Sequence, residues 1–138
     1  MVTLGRPKEL TKINGKSVYL QWINEPFITP DGKHMPIGVK GFTIYMVWNK
    51  DLKYVNPEVI NFVLWHEIGH IVLGHSEKIG PRNTDDENAA DAFALSVMGN
   101  KFSKEDVATF CRWFGSTCGK LHRITSDYLE TQYKRFGL

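Results

Sequence analysis

The sequence predicts an α+β fold, in which a short N-terminal β region packs on a core of about four helices. Turn-forming residues and short strand-like runs dominate the first fifty positions, whereas the remainder has long apolar stretches that begin at helix-capping residues. The 138 residues have the length of one ordinary domain, and no repeat, low-complexity tract or linker divides them. We therefore predict a single domain over 1–138, with a β-rich region at 1–50 and helices within 57–98 and 103–138.

The N-terminal forty residues are rich in glycine, proline and asparagine and are expected to form loops with short strands. One strand is predicted at 17–24, between turns at Asn14-Gly15 and Pro30-Asp31-Gly32. The β-branched and aromatic run at 41–48 predicts a second strand. This strand lies either at a sheet edge, where an extended peptide could pair with it, or inside the sheet, and its sequence favours neither position.

The first helix is predicted to begin at Asn56-Pro57-Glu58. Asparagine can cap a helix, proline is tolerated at its first position, and glutamate suits the positive end of its dipole. Apolar residues surround the helix axis almost completely up to residue 73, before Gly74, so we expect this helix to be buried. A loop over 76–83 should follow. Three further helices are predicted, at 84–98, 103–114 and 126–136.

The composition excludes several classes of protein. Hydrophobic residues make up 42% and charged residues 23% of the chain, which is near the average for globular domains. A net charge of +2 is too small to indicate a surface that binds nucleic acid directly. Because no segment has the length of a membrane span or the apolar core of a signal peptide, we expect a cytoplasmic protein without membrane attachment. Cys111 and Cys118 lack the spacing of a thiolate zinc site and are expected to be reduced packing residues.

The segment His66-Glu67-Ile68-Gly69-His70 carries the strongest chemical signal in the sequence. Two histidines four positions apart share one face of a helix, so both imidazoles can bind one tetrahedral zinc ion. The intervening Glu67 then takes the position of a general base beside the attacking water. The alternative is that both histidines are ordinary core or surface residues, although polar side chains in so apolar a helix need partners in any case. We predict a zinc site at His66 and His70.

A catalytic zinc site needs a third protein ligand and an open fourth position. Glu87 and Asp91, again four residues apart, can supply a ligand and an outer carboxylate that orients a ligand histidine. In one alternative Glu87 bonds back to the backbone of Thr84 in a capping box, and in another Asp91 is the ligand. His75 falls one residue before the third-ligand position of a three-histidine site, so we predict that it is an exposed residue at the helix end.

Two runs, WHEIGHIVL at 65–73 and ENAADAFAL at 87–95, resemble the HEIGH and E-x-x-A-[ND]-x-F-A signatures of the ImmA/IrrE metallopeptidases. The resemblance is best over 42–95 and extends weakly to the helical tail at 126–138. It implies a zincin-like metallopeptidase core with zinc as the cofactor. The roles it implies are zinc ligands at His66, His70 and Glu87, the catalytic base at Glu67, and a supporting carboxylate at Asp91.

The same resemblance implies a zinc-dependent endopeptidase whose substrate is a protein or peptide, such as a DNA-binding repressor of the helix-turn-helix class. One alternative is a non-hydrolytic antirepressor that keeps zinc for stability and binds such a partner, and another is a phage- or toxin-associated peptidase with a different target. The intact Glu67 favours an enzyme, because a purely structural zinc site has no use for a base. The sequence indicates no oligomeric state. Its candidates for a transition-state donor rest on residue type alone, and they are Tyr45, Tyr54, His122 and Tyr128.

Overall fold

The computed structural model of the protein describes residues 2–75, 84–117 and 124–138. Within these ranges, six strands precede a short 3₁₀ helix (Lys50–Tyr54) and four α-helices. The strands are β1 (Thr3–Ile13), β2 (Lys16–Ile23), β3 (Phe27–Ile28), β4 (His34–Met35), β5 (Ile37–Lys40) and β6 (Thr43–Val47). The helices are α1 (Pro57–Val72), α2 (Thr84–Met98), α3 (Lys104–Thr117) and α4 (Ser126–Arg135). The predicted α+β class is confirmed, while the loop predicted over 76–83 lies outside the described residues.

The main sheet has the strand order β1-β2-β6-β5, and β3 pairs with β4 in a separate two-stranded sheet. β1 and β2 form an antiparallel hairpin whose turn residues Asn14 and Gly15 have φ values of 50° and 80°, the backbone conformation that a tight hairpin requires. β6 pairs in parallel with β2 and antiparallel with β5. It is therefore an internal strand. Of the two positions that the sequence left open, the one at a sheet edge is wrong.

The long strand β1 contradicts the expectation that the N-terminal region contains loops and only short strands. All of its residues are exposed or half-exposed, and its sequence shows no regular alternation of apolar and polar residues. It occupies a sheet edge, and its pairing with β2 shifts register between Leu4 and Lys8, around Pro7. Prolines and bulges are tolerated at sheet edges. Backbone pairing with a partner strand, which periodicity cannot detect, therefore creates this strand.

α1 begins where the sequence predicts it. The side chain of Asn56 accepts a hydrogen bond from the Glu58 N–H at 3.0 Å, and Pro57 is the first helical residue. Most of the helix is buried, as expected, although Pro57, Asn61 and Val72 are exposed, the last of them by 43%. The larger of two hydrophobic clusters joins the main sheet to α1 and to the helices that follow, and a smaller one lies around Phe27. This arrangement places the polar residues near the end of α1 inside the domain.

An aromatic cluster fixes the C-terminal helices on α1. The ring of Phe136 lies 4.5 Å from that of Phe62 and 5.2 Å from that of Phe102, and Phe136 itself is only 1% exposed. Cys111 on α3 is buried with a free thiol, whose pKa burial raises to about 11, whereas Cys118 lies outside the described residues. Among the described helices, none combines the length and the apolar character needed to cross a bilayer.

Candidate metal centre

The site forms where α1 and α2 pass close to each other. A Cβ atom added to Gly69 would lie 3.1 Å from the ring of Phe93 and 3.3 Å from the Cα and carbonyl oxygen of Ala90. Small residues at such a contact let two helix backbones approach closely. The contact brings the last two turns of α1, which carry His66 and His70, against the first two turns of α2.

Three side chains converge at this contact: His66, His70 and Glu87. The Nε2 atoms of the two histidines lie 3.1 Å apart. One carboxylate oxygen of Glu87 lies 3.1 Å from Nε2 of His66, and the other lies 3.4 Å from Nε2 of His70. Two ligand atoms that are each about 2.1 Å from a tetrahedral zinc ion are roughly 3.4 Å from one another. The spacing and the donor types therefore fit one metal ion.

The three side chains differ in their access to solvent, and this difference leaves one side of the cluster open. His66 and His70 are buried, whereas the side chain of Glu87 is 39% exposed. Glu67 lies beside the cluster, with a carboxylate oxygen 4.0 Å from Nε2 of His66, and its side chain is 12% exposed. This position places a carboxylate next to the donors without making it one of them.

His66 is held from its other side by Asp91. The Nδ1 atom of His66 lies 2.7 Å from Oδ1 of Asp91, and the guanidinium of Arg135 donates to both oxygens of that carboxylate, at 3.1 and 3.3 Å. Burial opposes the ionisation of Asp91, but its bond to His66 and the charge of Arg135 hold the pKa of this carboxyl below its usual range. The ionised carboxylate can therefore accept a hydrogen bond from Nδ1–H and leave Nε2 free to bind a metal.

These contacts bear on the alternatives that the sequence left open. Both oxygens of Glu87 face the histidines, whereas a capping box would direct them to the backbone of Thr84. Asp91 meets the outer nitrogen of His66 and is not among the three side chains that converge. Glu87 also has a pKa well below its usual value, because the hydrogen bonds from the two histidines outweigh the effect of burial.

The prediction that His75 is exposed is wrong. His75 is only 9% exposed, and its Nδ1 lies 3.0 Å from Nδ1 of His70. Its Nε2 lies 3.3 Å from a carboxylate oxygen of Asp86, which is also buried. Gly74 has a φ of 77°, a left-handed conformation that turns the chain at the end of α1. The ring of His75 therefore meets α1 and is not directed into solvent.

Sequence reasoning missed three residues around the cluster: His75, Asp86 and Arg135. Arg135 lies 44 positions from its partner Asp91, and no local pattern connects the two. The available signals were weak, namely a histidine just after the predicted metal-site helix and an acidic residue adjacent to Glu87. Of the candidate transition-state donors, Tyr45 of β6 stacks on Phe27 of β3, and His122 lies outside the described residues.

Comparison with known proteins supplies the class of activity. A protein-family model described as Peptidase U49 matches residues 14–123, which is most of the chain and includes β2 to α3. No curated protein and no solved structure matches the chain. The matched region contains both helices of the cluster, including Glu67 and the three converging side chains, while Arg135 lies beyond it. A match of this extent over the residues that build the site shows that the chain belongs to the Peptidase U49 family.

Proposed function

We propose that this peptidase-family protein is a zinc-dependent endopeptidase, with His66, His70 and Glu87 as the ligands. The observation that carries the proposal is the convergence of two imidazole nitrogens and one carboxylate at tetrahedral spacing. Two histidines and a glutamate are one of the ligand sets found in catalytic zinc sites, where a fourth position stays open for water. When bound there, zinc supplies Lewis-acid polarisation of the scissile carbonyl and a lowered pKa for the attacking water.

The protein's own residues would then carry the proton transfers. Glu67 takes a proton from the attacking water onto its carboxylate and delivers it to the nitrogen of the leaving amine. Its place 4.0 Å from Nε2 of His66 suits this role, because it lies near the donors without occupying a donor position. Asp91, fixed by Arg135, keeps the His66 ring in one tautomer and one orientation during these steps.

The substrate is also part of the proposal. The resemblance of residues 65–73 and 87–95 to the ImmA/IrrE signatures supports a protein substrate, such as a helix-turn-helix repressor, and a cytoplasmic setting in which such a repressor would act. The partly exposed Glu87 supports an opening through which a peptide segment could reach the cluster. The internal position of β6 means that this strand is not the one that would pair with an extended substrate.

The test separates metal binding from proton transfer. Purified protein should contain about one zinc ion per chain, and His66→Ala or His70→Ala should abolish this content, because each removes one of three protein ligands. Glu67→Gln should keep zinc and folding but lower the cleavage of a repressor substrate by at least about 10²–10⁴-fold, which is the usual contribution of general acid–base catalysis. Elemental analysis and a gel-based cleavage assay measure the two effects.

Glu58→Gln is a matched control, since it makes the same chemical change in the first turn of the same helix. It should leave both zinc content and cleavage unchanged. Stoichiometric zinc in His66→Ala would overturn the ligand assignment. A Glu67→Gln protein that relieves repression as well as the wild type would favour the non-hydrolytic antirepressor over the endopeptidase.

A further inference from the structure

A second chain of polar contacts leads away from the cluster through His70. The Nδ1 atom of His70 lies 3.0 Å from Nδ1 of His75, and Nε2 of His75 lies 3.3 Å from Oδ1 of Asp86. All three residues are buried, with 0%, 9% and 8% of their surface exposed. Groups so far removed from water contribute to stability only when their polar atoms are paired.

The direction of these hydrogen bonds follows from the role of His70. Its Nε2 faces His66 and Glu87, so a metal-binding His70 carries its hydrogen on Nδ1. That N–H can donate to Nδ1 of His75, which must then be an unprotonated acceptor. A neutral His75 keeps its hydrogen on Nε2, and this N–H faces the carboxylate of Asp86. Each ring nitrogen of His70 and His75 therefore has a defined role, as a donor, an acceptor or the atom that binds the metal.

We propose that His75 and Asp86 are positioning residues of the metal site, which fix the tautomer and the ring orientation of His70. The inference rests on the proposed function, because it assigns these residues to a metal-binding His70. Histidines that bind metals usually donate their second N–H to a carboxylate, a backbone carbonyl or water. Here His75 lies between the proposed ligand His70 and the carboxylate of Asp86, and it connects the two.

The arrangement of α2 supports this reading. Asp86 and Glu87 are adjacent residues, so their side chains leave the helix about 100° apart. Glu87 therefore meets the Nε2 face of the cluster, while Asp86 meets the ring of His75 behind it. His75 packs on His70 with the ring centroids 5.2 Å apart and the planes inclined by 58°, which directs the two Nδ1 atoms at each other.

The first test replaces His75 by one residue that can accept a hydrogen bond from the His70 N–H and by one that cannot. His75→Leu removes the acceptor for the His70 N–H, and zinc affinity should fall by about 10–100-fold, as it does when outer partners of zinc ligands are removed. His75→Asn places an amide oxygen near the position of Nδ1 and should restore most of the affinity. A purely packing role would predict the opposite order, since leucine fills the buried site better than asparagine does. Zinc titrations of the full chain against a chelator measure the affinities.

Asp86→Asn and Asp85→Asn are a matched pair in the first turn of α2. Each removes one negative charge from the same helix end, but only Asp86 lies beside His75, whereas Asp85 is exposed. Asp86→Asn should weaken zinc binding, and Asp85→Asn should not. Equal effects would show that the charge acts through the helix dipole, which would overturn the role of Asp86.

A spectroscopic measurement separates this proposal from the proposed function. Nitrogen-15 NMR of the metal-free chain should show coupling between the two Nδ1 atoms of His70 and His75 across their hydrogen bond. Loss of this coupling in His75→Leu and its presence in Asp85→Asn support the pairing, whereas its absence from the wild type overturns it. If the coupling is present but the wild type binds no zinc, the pairing stands and the metal-binding role fails together with the proposed zinc enzyme.

Discussion

Each histidine of the cluster uses both of its ring nitrogens. His66 and His70 direct Nε2 towards the cluster, and their Nδ1 atoms meet Asp91 and His75. An imidazole that is bonded at both nitrogens cannot rotate or change tautomer without losing a contact. The lone pairs that would bind a metal are therefore oriented before the ion arrives, which lowers the entropy lost on binding.

The different positions of Glu87 and Asp91 predict different consequences when they are replaced. Glu87→Ala removes one of three converging donors and should largely abolish zinc binding. Asp91→Ala removes only the outer partner of His66 and should weaken binding by about 10–100-fold. Isothermal titration with zinc measures both effects. Zinc loss in Asp91→Ala with retention in Glu87→Ala would mean that the two roles are reversed.

The pKa of His66 predicts how the proposed zinc binding depends on pH. Burial lowers this pKa, but the hydrogen bonds to Asp91 and Glu87 outweigh burial and raise it from 6.5 to about 9. Because the ring must lose a proton before Nε2 binds zinc, apparent affinity should rise by about tenfold per pH unit from about pH 7 and level off above about pH 9. Competition titrations at several pH values measure this slope, and an affinity that is independent of pH would contradict it.

The same proton should stabilise the metal-free fold. The folded-state pKa of His66 lies above the unfolded value, so the stabilisation is complete below pH 6.5 and is lost as pH rises through about 9. Thermal unfolding of the metal-free chain across this range tests the expectation. His66→Gln serves as the control, because it cannot titrate and should not show this loss.

At the scale of elements, α2 supplies three carboxylates that face histidine rings. Glu87 faces the cluster, Asp91 lies one turn later against His66, and Asp86 faces His75 on the other side. The 3.6-residue period of a helix makes these three directions compatible with one rigid element. The geometry of the site therefore depends on how closely α2 lies against α1.

Gly69 sets that distance, and Gly69→Ala tests it. The new Cβ would lie 3.1–3.3 Å from Phe93 and Ala90, so α2 must move by a few tenths of an ångström. Overpacking of this kind usually costs about 1–3 kcal/mol, which exceeds the gain of about 0.5–1 kcal/mol from replacing a helical glycine by alanine. We expect lower stability in urea and weaker zinc binding.

Asn61→Ala is the matched control for this variant, since it introduces alanine on an exposed face of the same helix. It should leave zinc affinity unchanged and should not lower stability. Wild-type zinc affinity in Gly69→Ala would show that the site tolerates a displacement of α2.

At the scale of the whole molecule, the C-terminal segment links the core to the candidate metal centre. Phe136 enters the aromatic cluster around Phe62, and its neighbour Arg135 reaches Asp91. The last turn is fixed further by the Asn100 side chain, which donates to the carbonyl of Gly137 at 2.8 Å. The packing of the C-terminal residues therefore helps to fix the orientation of the His66 ring, through Arg135 and Asp91.

Phe136→Ala should lower both the stability of the fold and the affinity of the site for zinc. Loss of a fully buried aromatic side chain typically costs about 3–5 kcal/mol, and the displaced Arg135 would no longer hold Asp91. We expect a large decrease in unfolding free energy, together with weaker zinc binding in the fraction that remains folded. Val97→Ala on the half-exposed part of α2 is the control and should change stability by less than about 0.5 kcal/mol. Unchanged zinc affinity in folded Phe136→Ala would show that the aromatic cluster does not help to orient the site.

The sequence by itself determined the elements whose signals are local. The Asn56 cap, the apolar α1 and the i, i+4 spacing of His66 and His70 follow from helix geometry whatever packs around them. The helices and the strands β2 and β6 were predicted close to their observed bounds for the same reason.

Only the tertiary structure decided the features that depend on distant partners. The exposed strand β1 exists because it pairs with β2, and the contacts of Glu87 and Asp91 with the His66 ring depend on how two helices approach each other. Arg135 and Asp91 are 44 residues apart, and His75 is buried through a turn and a contact with another helix. Periodicity describes which face of an element is apolar, but the choice of partner for a polar side chain is made by packing between elements.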